Sequence, residues 1–384
     1  GDAGGHGHFA EPEPTRGLMG QPAAVSWQEM KLMIAGGGTG GHVFPALAIA
    51  EEWRRRSRGE VVLVGTAKGI ENRLVPQAGF PLELIPAAAL KGIGGVRLAK
   101  SILRLPLALL AAGRVTRRNN PDVVQGIGGY ASGPVVLSAV LCGIPTAIFE
   151  PNAEPGFANR VVLPFVKRAA VAYPETAARL GERGVLTGCP VRAAFFSLTP
   201  RRHEPPFSVL IFGGSQGSLA LNQTMIEALD FFSPRREELF FTHQTGERDY
   251  NAVRVAYGRR GMRAEVRAFL DDMPDRFGQA DLIVSRSGAV TVAEIAAAGR
   301  ASILVPFPEA ADQHQLRNAQ ALERAKAARL LLQEELTPER LATEILTLLE
   351  APEKLRQMEG AARELARPRA TQEIVDMLER IAKK

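Results

Sequence analysis

"LMIAGGGTGGHVFPALAIA", residues 32–50, joins an apolar run, a glycine-rich turn and an amphipathic segment. The apolar run predicts a buried strand, and the segment from Pro45 predicts a helix, because proline is common in the first helical turn. Between them, Gly36, Gly38 and Gly41 follow the G-x-G-x-x-G spacing of dinucleotide-binding loops. The stretch therefore predicts a Rossmann-like βα unit whose helix N-terminus faces a phosphate.

The same succession of strand, glycine turn and helix returns in SVLIFGGSQGSLALNQTMIEAL at residues 208–229. The proline- and charge-rich segment TPRRHEPPF at 199–207 separates the two halves as a linker. We therefore predict an α/β fold with two Rossmann-like domains whose parallel sheets face each other across a cleft. The predicted organisation is a disordered tail at 1–30, an N-terminal domain at 31–198, the linker, a C-terminal domain at 208–350, and helices at 351–384 that can pack back on the N-terminal domain.

Short apolar runs alternate with amphipathic segments in both halves, as in parallel sheets with crossover helices. Besides the two opening strands, the predicted strands are 61–66, 81–87, 123–128, 145–150 and 168–173 in the first half and 239–246, 264–270, 280–288 and 301–308 in the second.

The positive charge of the chain is concentrated in its first half. Lys and Arg outnumber Asp and Glu by 20 to 10 over residues 31–200, whereas the counts are 26 and 27 over residues 201–384. This asymmetry indicates an anionic partner, such as a phosphate group, nucleic acid or an anionic membrane surface; a basic domain without such a partner is the alternative. No nucleic-acid partner is expected, because the first half has few aromatic residues and no base-stacking motif.

Three further features narrow the class of protein. The two cysteines, Cys142 and Cys189, form no disulfide framework and show no metal-ligand spacing. No apolar run reaches the roughly 20 residues of a membrane-spanning helix. Residues 1–30 lack the basic start and apolar stretch of a signal peptide.

A nicotinamide or flavin dinucleotide site needs an acid at the end of the second strand, about twenty residues after the glycine loop. That strand ends as VVLVGT at 61–66, and Glu60 precedes it rather than follows it. The glycine loop is instead followed at once by His42. A helix N-terminus disfavours the imidazolium ion, which keeps the ring neutral and able to act as a general base. A packing role at the helix start is the alternative.

Four further stretches carry polar groups suited to a phosphorylated sugar. GGSQGS at 213–218 sets backbone amides and a serine at a helix start, as a phosphate cradle or as a tight turn. GIGGYASGP at 126–134 holds a second phosphate or merely turns the chain. Glu294 follows the turn SRSG and either bonds two sugar hydroxyls or faces solvent. DQHQLRNA at 312–319 is dense in amides, which suggests hydrogen bonds to a polar ligand.

Taken together and in this order, the motifs resemble those of the MurG family, the GT-B glycosyltransferases of family 28 in bacterial cell-wall synthesis. The matching stretches are GGTGGHVFPALA (37–48), GIGGYASGP (126–134), EPNAEPGFANR (150–160), GCPVR (188–192), FGGSQGSLALN (212–222), FLDDM (269–273), SRSGAVTVAE (285–294) and DQHQLRNA (312–319).

The resemblance implies that the C-terminal domain binds the donor, UDP-N-acetylglucosamine (UDP-GlcNAc), and the N-terminal domain a lipid acceptor. His42 matches the family's proposed general base. Glu294 is implied to hold the ribose hydroxyls, Arg192 the donor's charge, and Leu270 to lie beside the uracil. The residues implied to contact the donor are Thr39, Gly40, Gly41, Asn152, Arg192, Ser215, Leu270, Ala289, Val290, Thr291, Val292, Ala293, Glu294 and Gln315. Those implied to bind the acceptor diphosphate are Gly126, Gly128, Gly129 and Tyr130.

The implied reaction is inverting transfer of GlcNAc to the C4 hydroxyl of MurNAc in undecaprenyl-diphospho-MurNAc-pentapeptide (lipid I), which gives lipid II for peptidoglycan. No metal and no cofactor are expected, and the sequence has no Asp-x-Asp motif. Four alternatives stay open. They are a GT-B transferase acting on another lipid or glycan acceptor, a UDP-GlcNAc epimerase, an NAD(P) oxidoreductase, which the missing ribose acid disfavours, and a catalytically inactive binding protein, which the presence of the base candidate and the donor contacts disfavours.

The resemblance also implies a peripheral location at the cytoplasmic face of the inner membrane, with cell-wall assembly proteins as partners. The segment VRLAKSILRLPLALL at 96–110 fits an anionic membrane surface, because Arg97, Lys100 and Arg104 fall near one helical face. The same helix can instead pack on the sheet with its basic face in solvent.

Overall fold

The computed structural model describes residue 1 and residues 30–57, 59–86, 95–310 and 313–382. The predicted tail lies outside these residues, apart from its first and last positions. A first sheet of seven parallel strands has the order 3-2-1-4-5-6-7. The strands are β1 (Leu32–Gly36), β2 (Val61–Gly65), β3 (Leu82–Leu84), β4 (Val123–Gly128), β5 (Thr146–Glu150), β6 (Arg168–Val171) and β7 (Gly184–Leu186).

Helices cover both faces of this sheet, and β1 shows why. Its side chains alternate between two cores, with Leu32 and Ile34 in one and Met33 and Ala35 in the other. A strand buried on both faces reads as a continuous apolar run, which is how the sequence was interpreted. The helices are α1 (Gly40–Ser57), α2 (Glu71–Gln77), α3 (Gly95–Asn119), α4 (Ser132–Leu141), α5 (Phe157–Val162) and α6 (Pro174–Leu180).

Helix α1 begins earlier than predicted. The carbonyl of Thr39 accepts hydrogen bonds from the amides of His42 and Val43, both at 3.1 Å, so the first turn forms within the glycine run. Pro45 therefore lies inside the helix rather than in its first turn. As a consequence, His42 belongs to the first turn of α1, where the helix N-terminus faces the end of the sheet.

The second sheet has six parallel strands in the order 10-9-8-11-12-13. Its strands are β8 (Phe207–Phe212), β9 (Leu239–Gln244), β10 (Ala264–Arg267), β11 (Leu282–Ser285), β12 (Ser302–Leu304) and β13 (Ala328–Leu330). Its helices are α7 (Leu219–Phe232), α8 (Tyr250–Arg259), α9 (Met273–Gln279), α10 (Ala289–Ala298), α11 (His314–Arg324) and α12 (Pro338–Leu349). The three-residue edge strands β7 and β13 were not predicted.

In each sheet the strand order reverses between the first strand and the fourth, which are β1 and β4 in the first sheet and β8 and β11 in the second. Ligands of doubly wound sheets bind in the crevice beyond the carboxyl ends of the strands at this point. The topology therefore places the glycine loops after β1 and β8 at the two ligand crevices.

The last two helices, α13 (Pro352–Glu364) and α14 (Ala370–Ala382), pack on different sheets. Helix α13 lies against α10 and α12, whereas α14 lies against α1 and the strands β4 and β6. Ile374 and Leu378 of α14 are buried in the same core as α1. The chain thus returns to the first sheet only in its final helix. Among the described residues, no helix is long and apolar enough to cross a bilayer.

The linker is fixed to the second sheet by buried charges. Arg201 donates two hydrogen bonds to Asp281, at 3.2 and 3.1 Å, and the Nδ1 of His203 lies 3.1 Å from the same carboxylate. Glu359 of α13 lies 3.4 Å from the Nε2 of His203. Although burial opposes a charge there, the hydrogen bonds to Asp281 and Glu359 raise the pKa of His203 to about 9.

Candidate active site

A cleft of about 1090 Å³ lies between the carboxyl ends of the two sheets. The first sheet contributes the loops after β1, β4 and β5, and the second contributes those after β8, β10 and β11 together with the starts of α10 and α11. The predicted site residues that line it are Thr39, Gly40, Gly41, His42, Gly128, Gly129, Tyr130, Asn152, Arg192, Ser215, Leu270, Ala289, Val290, Thr291, Glu294 and Gln315.

Three predicted site residues do not line the cleft. Val292 is buried in the core of the second domain, and Ala293 packs between the two cores that meet beside α10. Both face away from the cleft because a helix turns successive side chains by about 100°. Gly126 lies within β4, where an added Cβ would fall 2.7 Å from Ser132 Oγ and from Val136 Cγ2 of α4. Its lack of a side chain therefore serves helix packing.

The His42 ring is held in one tautomer. Its Nδ1 lies 3.0 Å from the carbonyl oxygen of Ile127, at the end of β4. A carbonyl oxygen only accepts hydrogen bonds, so Nδ1 carries the proton and Nε2 keeps its lone pair. A lone pair on the ring nitrogen opposite the anchoring bond is the arrangement that a general base requires.

The surroundings keep this imidazole neutral. Burial lowers the pKa of His42, and the hydrogen bond to Ile127 and the charge of Glu71 oppose that shift only in part. The prediction from the sequence explains the neutral state of the His42 ring by the helix N-terminus. In the structure, the largest cause is instead desolvation by burial.

The loop after β4 approaches His42 so closely that it needs glycine. A Cβ on Gly128 would lie 2.9 Å from Cε1 of the imidazole, and a Cβ on Gly129 would lie 2.4 Å from the carbonyl oxygen of Gly37. Both glycines have positive φ, 98° and 82°. The neighbouring Tyr130 is 50% exposed at the rim of the cleft. The two glycine loops of the first domain are therefore packed together, with His42 between them.

In the second domain, the loop after β8 ends at Ser218, the N-cap of α7, whose hydroxyl accepts from the amide of Leu221. Gly217 has a φ of 75°, and a Cβ there would lie 1.8 Å from the carbonyl oxygen of Thr245. Ser215 lies in this loop at the wall of the cleft. The helix N-terminus thus presents unpaired amides to an anion.

Arg286 supports that loop and was not predicted as a site residue. Its guanidinium donates to Ser218 Oγ at 3.1 Å and to the carbonyls of Val305 and Pro306 at 3.1 and 3.0 Å. Burial lowers the pKa of Arg286 to about 10, which leaves it charged at neutral pH. A buried cation at the wall of the cleft favours a phosphate group. An arginine directly after a strand gives no sequence signal for this role.

Glu294 faces Arg192 across the back of the cleft. The ion pair measures 3.6 Å, and the guanidinium carbon of Arg192 lies 4.8 Å from the ring centre of Phe44 in α1. Burial raises the pKa of Glu294 to about 7, against the opposing effect of Arg192. Arg192 therefore joins the two domains and partly neutralises the only carboxylate on α10.

Gln244 at the end of β9 connects the loop after β8 to the loop after β10. Its amide nitrogen donates to the carbonyl of Gly214 at 2.8 Å, and its amide oxygen accepts from the Leu270 amide at 2.8 Å. Gln315 acts similarly, because its side-chain oxygen accepts from the Phe307 amide at 3.0 Å. These amides hold the walls of the cleft rather than project into empty space.

Asn152 is positioned by a buried carboxylate that sequence reasoning missed. Glu150 accepts hydrogen bonds from the amide and the side chain of Asn152, both at 3.0 Å, and from the Gly156 amide and the Asn159 side chain at 2.8 and 2.9 Å. Burial raises the pKa of Glu150, and these four hydrogen bonds oppose the shift. The loop after β5 therefore surrounds the Glu150 carboxylate and is held in place by these hydrogen bonds.

Comparisons with known proteins agree with this geometry. The N-terminal domain of glycosyltransferase family 28 matches residues 32–171, and the C-terminal domain of that family matches residues 208–376. A UDP-N-acetylglucosamine–N-acetylmuramyl-(pentapeptide) pyrophosphoryl-undecaprenol N-acetylglucosamine transferase of Myxococcus xanthus (strain DK1622) is 49% identical over 352 residues, which cover 91% of this chain and 92% of the relative.

Two solved structures are similar. MurG of Acinetobacter baumannii has a TM-score of 0.73 and 34% identity, over 91% of this chain and 99% of that chain. A UDP-GlcNAc 2-epimerase of Neisseria meningitidis has a TM-score of 0.65 but 12% identity, over 91% of this chain and 100% of that chain, and shows likeness of fold alone. The two-sheet architecture, the matched domains and the identity to curated transferases lead to one conclusion: the chain belongs to the MurG family of glycosyltransferase family 28.

Proposed function

We propose that this chain transfers GlcNAc from UDP-GlcNAc to the C4 hydroxyl of MurNAc in undecaprenyl-diphospho-MurNAc-pentapeptide, and so converts lipid I to lipid II. The observation that carries the proposal is the neutral His42, with Nδ1 anchored and Nε2 unprotonated, in a cleft whose opposite wall is a glycine-loop helix N-terminus. The relatives with 43–49% identity bear the name of this transferase.

The second domain supplies groups that suit the donor. The N-termini of α7 and α10 and the buried Arg286 favour the diphosphate, because each presents positive potential to the cleft. Glu294 is the carboxylate available to accept hydrogen bonds from the ribose hydroxyls. Leu270, held by Gln244, provides an apolar wall for the uracil.

The first domain supplies the base. His42 Nε2 takes the proton from the C4 hydroxyl as its oxygen attacks C1 of GlcNAc from the face opposite UDP. The bond from C4 oxygen to C1 forms while the bond from C1 to the β-phosphate oxygen breaks, and the anomeric centre is inverted. The leaving diphosphate gains negative charge, which the amides and the guanidinium on the donor side stabilise without reorganising.

The reaction is tested by incubating the purified protein with UDP-GlcNAc and a short-chain lipid I analogue. Stoichiometric UDP and a β-1,4-linked disaccharide on the lipid are the expected products. Conversion of UDP-GlcNAc to its 2-epimer without acceptor, or transfer to other lipids in preference to lipid I, would contradict the proposal.

Replacing His42 by alanine tests the base. We expect kcat to fall about 10²–10⁴-fold, the usual contribution of general base catalysis. The dissociation constant of UDP-GlcNAc should change little, because most of the implied donor contacts, from Ser215 to Gln315, lie on the other domain. Turnover and calorimetry measure the two quantities. Near-normal kcat in His42→Ala would remove this residue from the mechanism.

We further propose that the first domain binds an anionic membrane surface through α3, α4 and α5, which pack side by side. Four apolar side chains on or beside these helices are 58–85% exposed: Leu107, Leu110, Leu141 and Phe165. Arg114 of α3 and Arg160 of α5 are exposed, as are Lys167 and Arg168 at the start of β6. The side chains of Arg97, Lys100 and Arg104 lie outside the described residues.

Vesicle co-sedimentation tests this surface. Binding should require anionic lipid, weaken with salt and fall in Leu141→Asp, because apolar insertion and charge attraction act together. Equal binding to neutral vesicles at high salt would contradict it.

A further inference from the structure

Glu71 is a buried carboxylate that the mechanism above does not use. It is the first residue of α2 and is 1% exposed, although an acidic residue at a helix start normally faces solvent. It reaches under the glycine loop that precedes α1. A carboxylate buried so completely needs several hydrogen bonds to offset its desolvation.

Those hydrogen bonds come from the loop and from β2. One oxygen accepts from the Gly38 amide at 2.7 Å, and the other accepts from the amide and the hydroxyl of Thr66, at 3.0 and 3.2 Å. Both oxygens act only as acceptors, which is the bonding pattern of an ionised carboxylate. Glu71 therefore joins the strand β2 to the loop that carries Thr39 and His42.

Three glycines make room for this carboxylate. A Cβ added to Gly37, Gly65 or Gly69 would lie 2.3, 2.7 or 1.8 Å from an atom of the Glu71 side chain. These glycines come from the loop after β1, from the end of β2 and from the turn before α2. The chain thus encloses the carboxylate on three sides, which fixes its position beneath the loop.

We propose that Glu71 is a positioning residue for His42: its carboxylate holds the glycine loop in place and stabilises the imidazolium that forms when His42 accepts the substrate proton. The inference rests on the proposed function, since it concerns the same base. The positioning part follows from the hydrogen bond that Glu71 accepts from the Gly38 amide. Gly38 directly precedes Thr39, whose carbonyl accepts the hydrogen bonds that close the helical turn containing His42. The electrostatic part follows from a fixed negative charge in a desolvated setting.

Other ionisable groups around His42 act differently. Burial is the largest influence and lowers the pKa of His42, the charge of Glu71 raises it, and His314 of α11 lowers it. On the α10 side, Glu294 is paired with Arg192, so their charges largely cancel. Glu71 is thus the negative group whose removal should make the imidazolium less stable.

The test replaces Glu71 with glutamine, which keeps the shape but removes the charge and sets an N–H against a backbone amide. We expect kcat to fall about tenfold or more with the KM for UDP-GlcNAc nearly unchanged. The acidic limb of the kcat/KM profile should move to lower pH by about half a unit or more, because the pKa of His42 falls with the charge. A role in folding alone would lower kcat without moving that limb.

A second readout does not need turnover. The His42 ring resonances of ¹⁵N-labelled protein, assigned by their absence in His42→Ala, are titrated by NMR in wild type, Glu71→Gln and the control Glu83→Gln. Glu83, on β3 and paired with Arg118, tests the loss of an unrelated carboxylate in the same domain. A downward shift in Glu71→Gln alone supports the proposal, and identical titrations overturn its electrostatic part.

Glu71→Asp separates charge from position and covers the case in which Glu71→Gln fails to fold. It keeps the charge but withdraws the carboxylate by one methylene, so we expect lower kcat with the His42 titration near wild type. Wild-type kcat in Glu71→Asp would overturn the positioning part. If wild-type protein formed no lipid II, the proposed function would fail, while the NMR titrations would still report on the coupling of Glu71 to His42.

Discussion

At the scale of single residues, burial favours the uncharged form of both His42, the proposed base, and Glu294, the proposed ligand of the donor's ribose. Burial keeps His42 neutral, and burial raises the pKa of Glu294 to about 7 despite Arg192. One group must be uncharged to accept a proton, and the other is a better hydrogen-bond acceptor when ionised. We therefore expect groups on both sides of the cleft to determine the pH optimum.

Donor binding should depend on the ionisation of Glu294. With a pKa of about 7, the ionised fraction rises from about one tenth at pH 6 to about nine tenths at pH 8, so the affinity for UDP-GlcNAc should increase about tenfold over that range. Calorimetry at several pH values measures it. Glu294→Gln should bind more weakly and lose the pH dependence; a flat profile in wild type would argue against a contact with the ribose.

The sequence led to His42 and Glu294 but not to the groups that hold the site in place. His42 was identifiable because it follows a glycine loop at a helix start. Its anchor, Ile127, lies 85 residues away and acts through a backbone carbonyl, which no sequence pattern reveals. Glu71 and Glu150 resemble solvated acids in their local sequence, because only the tertiary packing buries them.

At the scale of secondary structure, the predictions were accurate where a strand is buried on both faces or a glycine turn joins strand to helix. The predictions were incomplete for short elements and for helices of which only one side faces the cleft. On α10, the whole run 289–294 was assigned to the site from motif resemblance, but the helical period directs Val292 into the core.

The turn between β4 and α4 should be intolerant of any side chain at Gly128. Gly128→Ala would place a methyl group 2.9 Å from the His42 ring at a φ of 98°, so either the ring or the loop must move. We expect kcat to fall by up to about 100-fold, as a displacement of about 1 Å can produce, with donor affinity unchanged.

Gly113→Ala provides the control for that substitution. Gly113 lies on α3, and its added Cβ meets only the hydroxyl of Ser138, at 3.3 Å. Steady-state kinetics and calorimetry on both variants give the comparison. Equal kcat in Gly128→Ala and Gly113→Ala would show that the imidazole has room to adjust.

At the scale of the whole molecule, the two-domain architecture was predictable because the strand–glycine–helix theme occurs twice. The contacts between the domains were not, since they join residues far apart in the chain. Glu154, in the loop after β5, pairs with Arg317 of α11 at 2.5 Å, and Arg73 of α2 lies 3.6 Å from Asp271. These ion pairs bridge the cleft.

The bridge between Glu154 and Arg317 should make closure sensitive to salt. Partly exposed pairs contribute modestly, so Glu154→Gln or Arg317→Gln should lower kcat/KM about two- to fivefold at low ionic strength. The double variant should lose little more than either single one, because both remove the same contact. Steady-state kinetics of the wild type, the two single variants and the double variant at about 50 mM and about 500 mM salt measure this double-mutant cycle. Additive losses would show that the pair does not act as a unit.

The course of the backbone decides how the two halves can move. The chain passes from the first half to the second through the linker that Arg201 and His203 fix to Asp281, and it returns between α13 and α14. The segment between β7 and this linker lies against the second passage, because a Cβ on Gly188 would lie 2.6 Å from Cβ of Arg367. Two rigid bodies that are joined by two adjacent covalent connections can rotate easily about essentially one hinge axis, which runs through the connections. We therefore expect the cleft to widen mainly at its mouth, while residues beside the two connections, Arg192 among them, keep nearly the same neighbours.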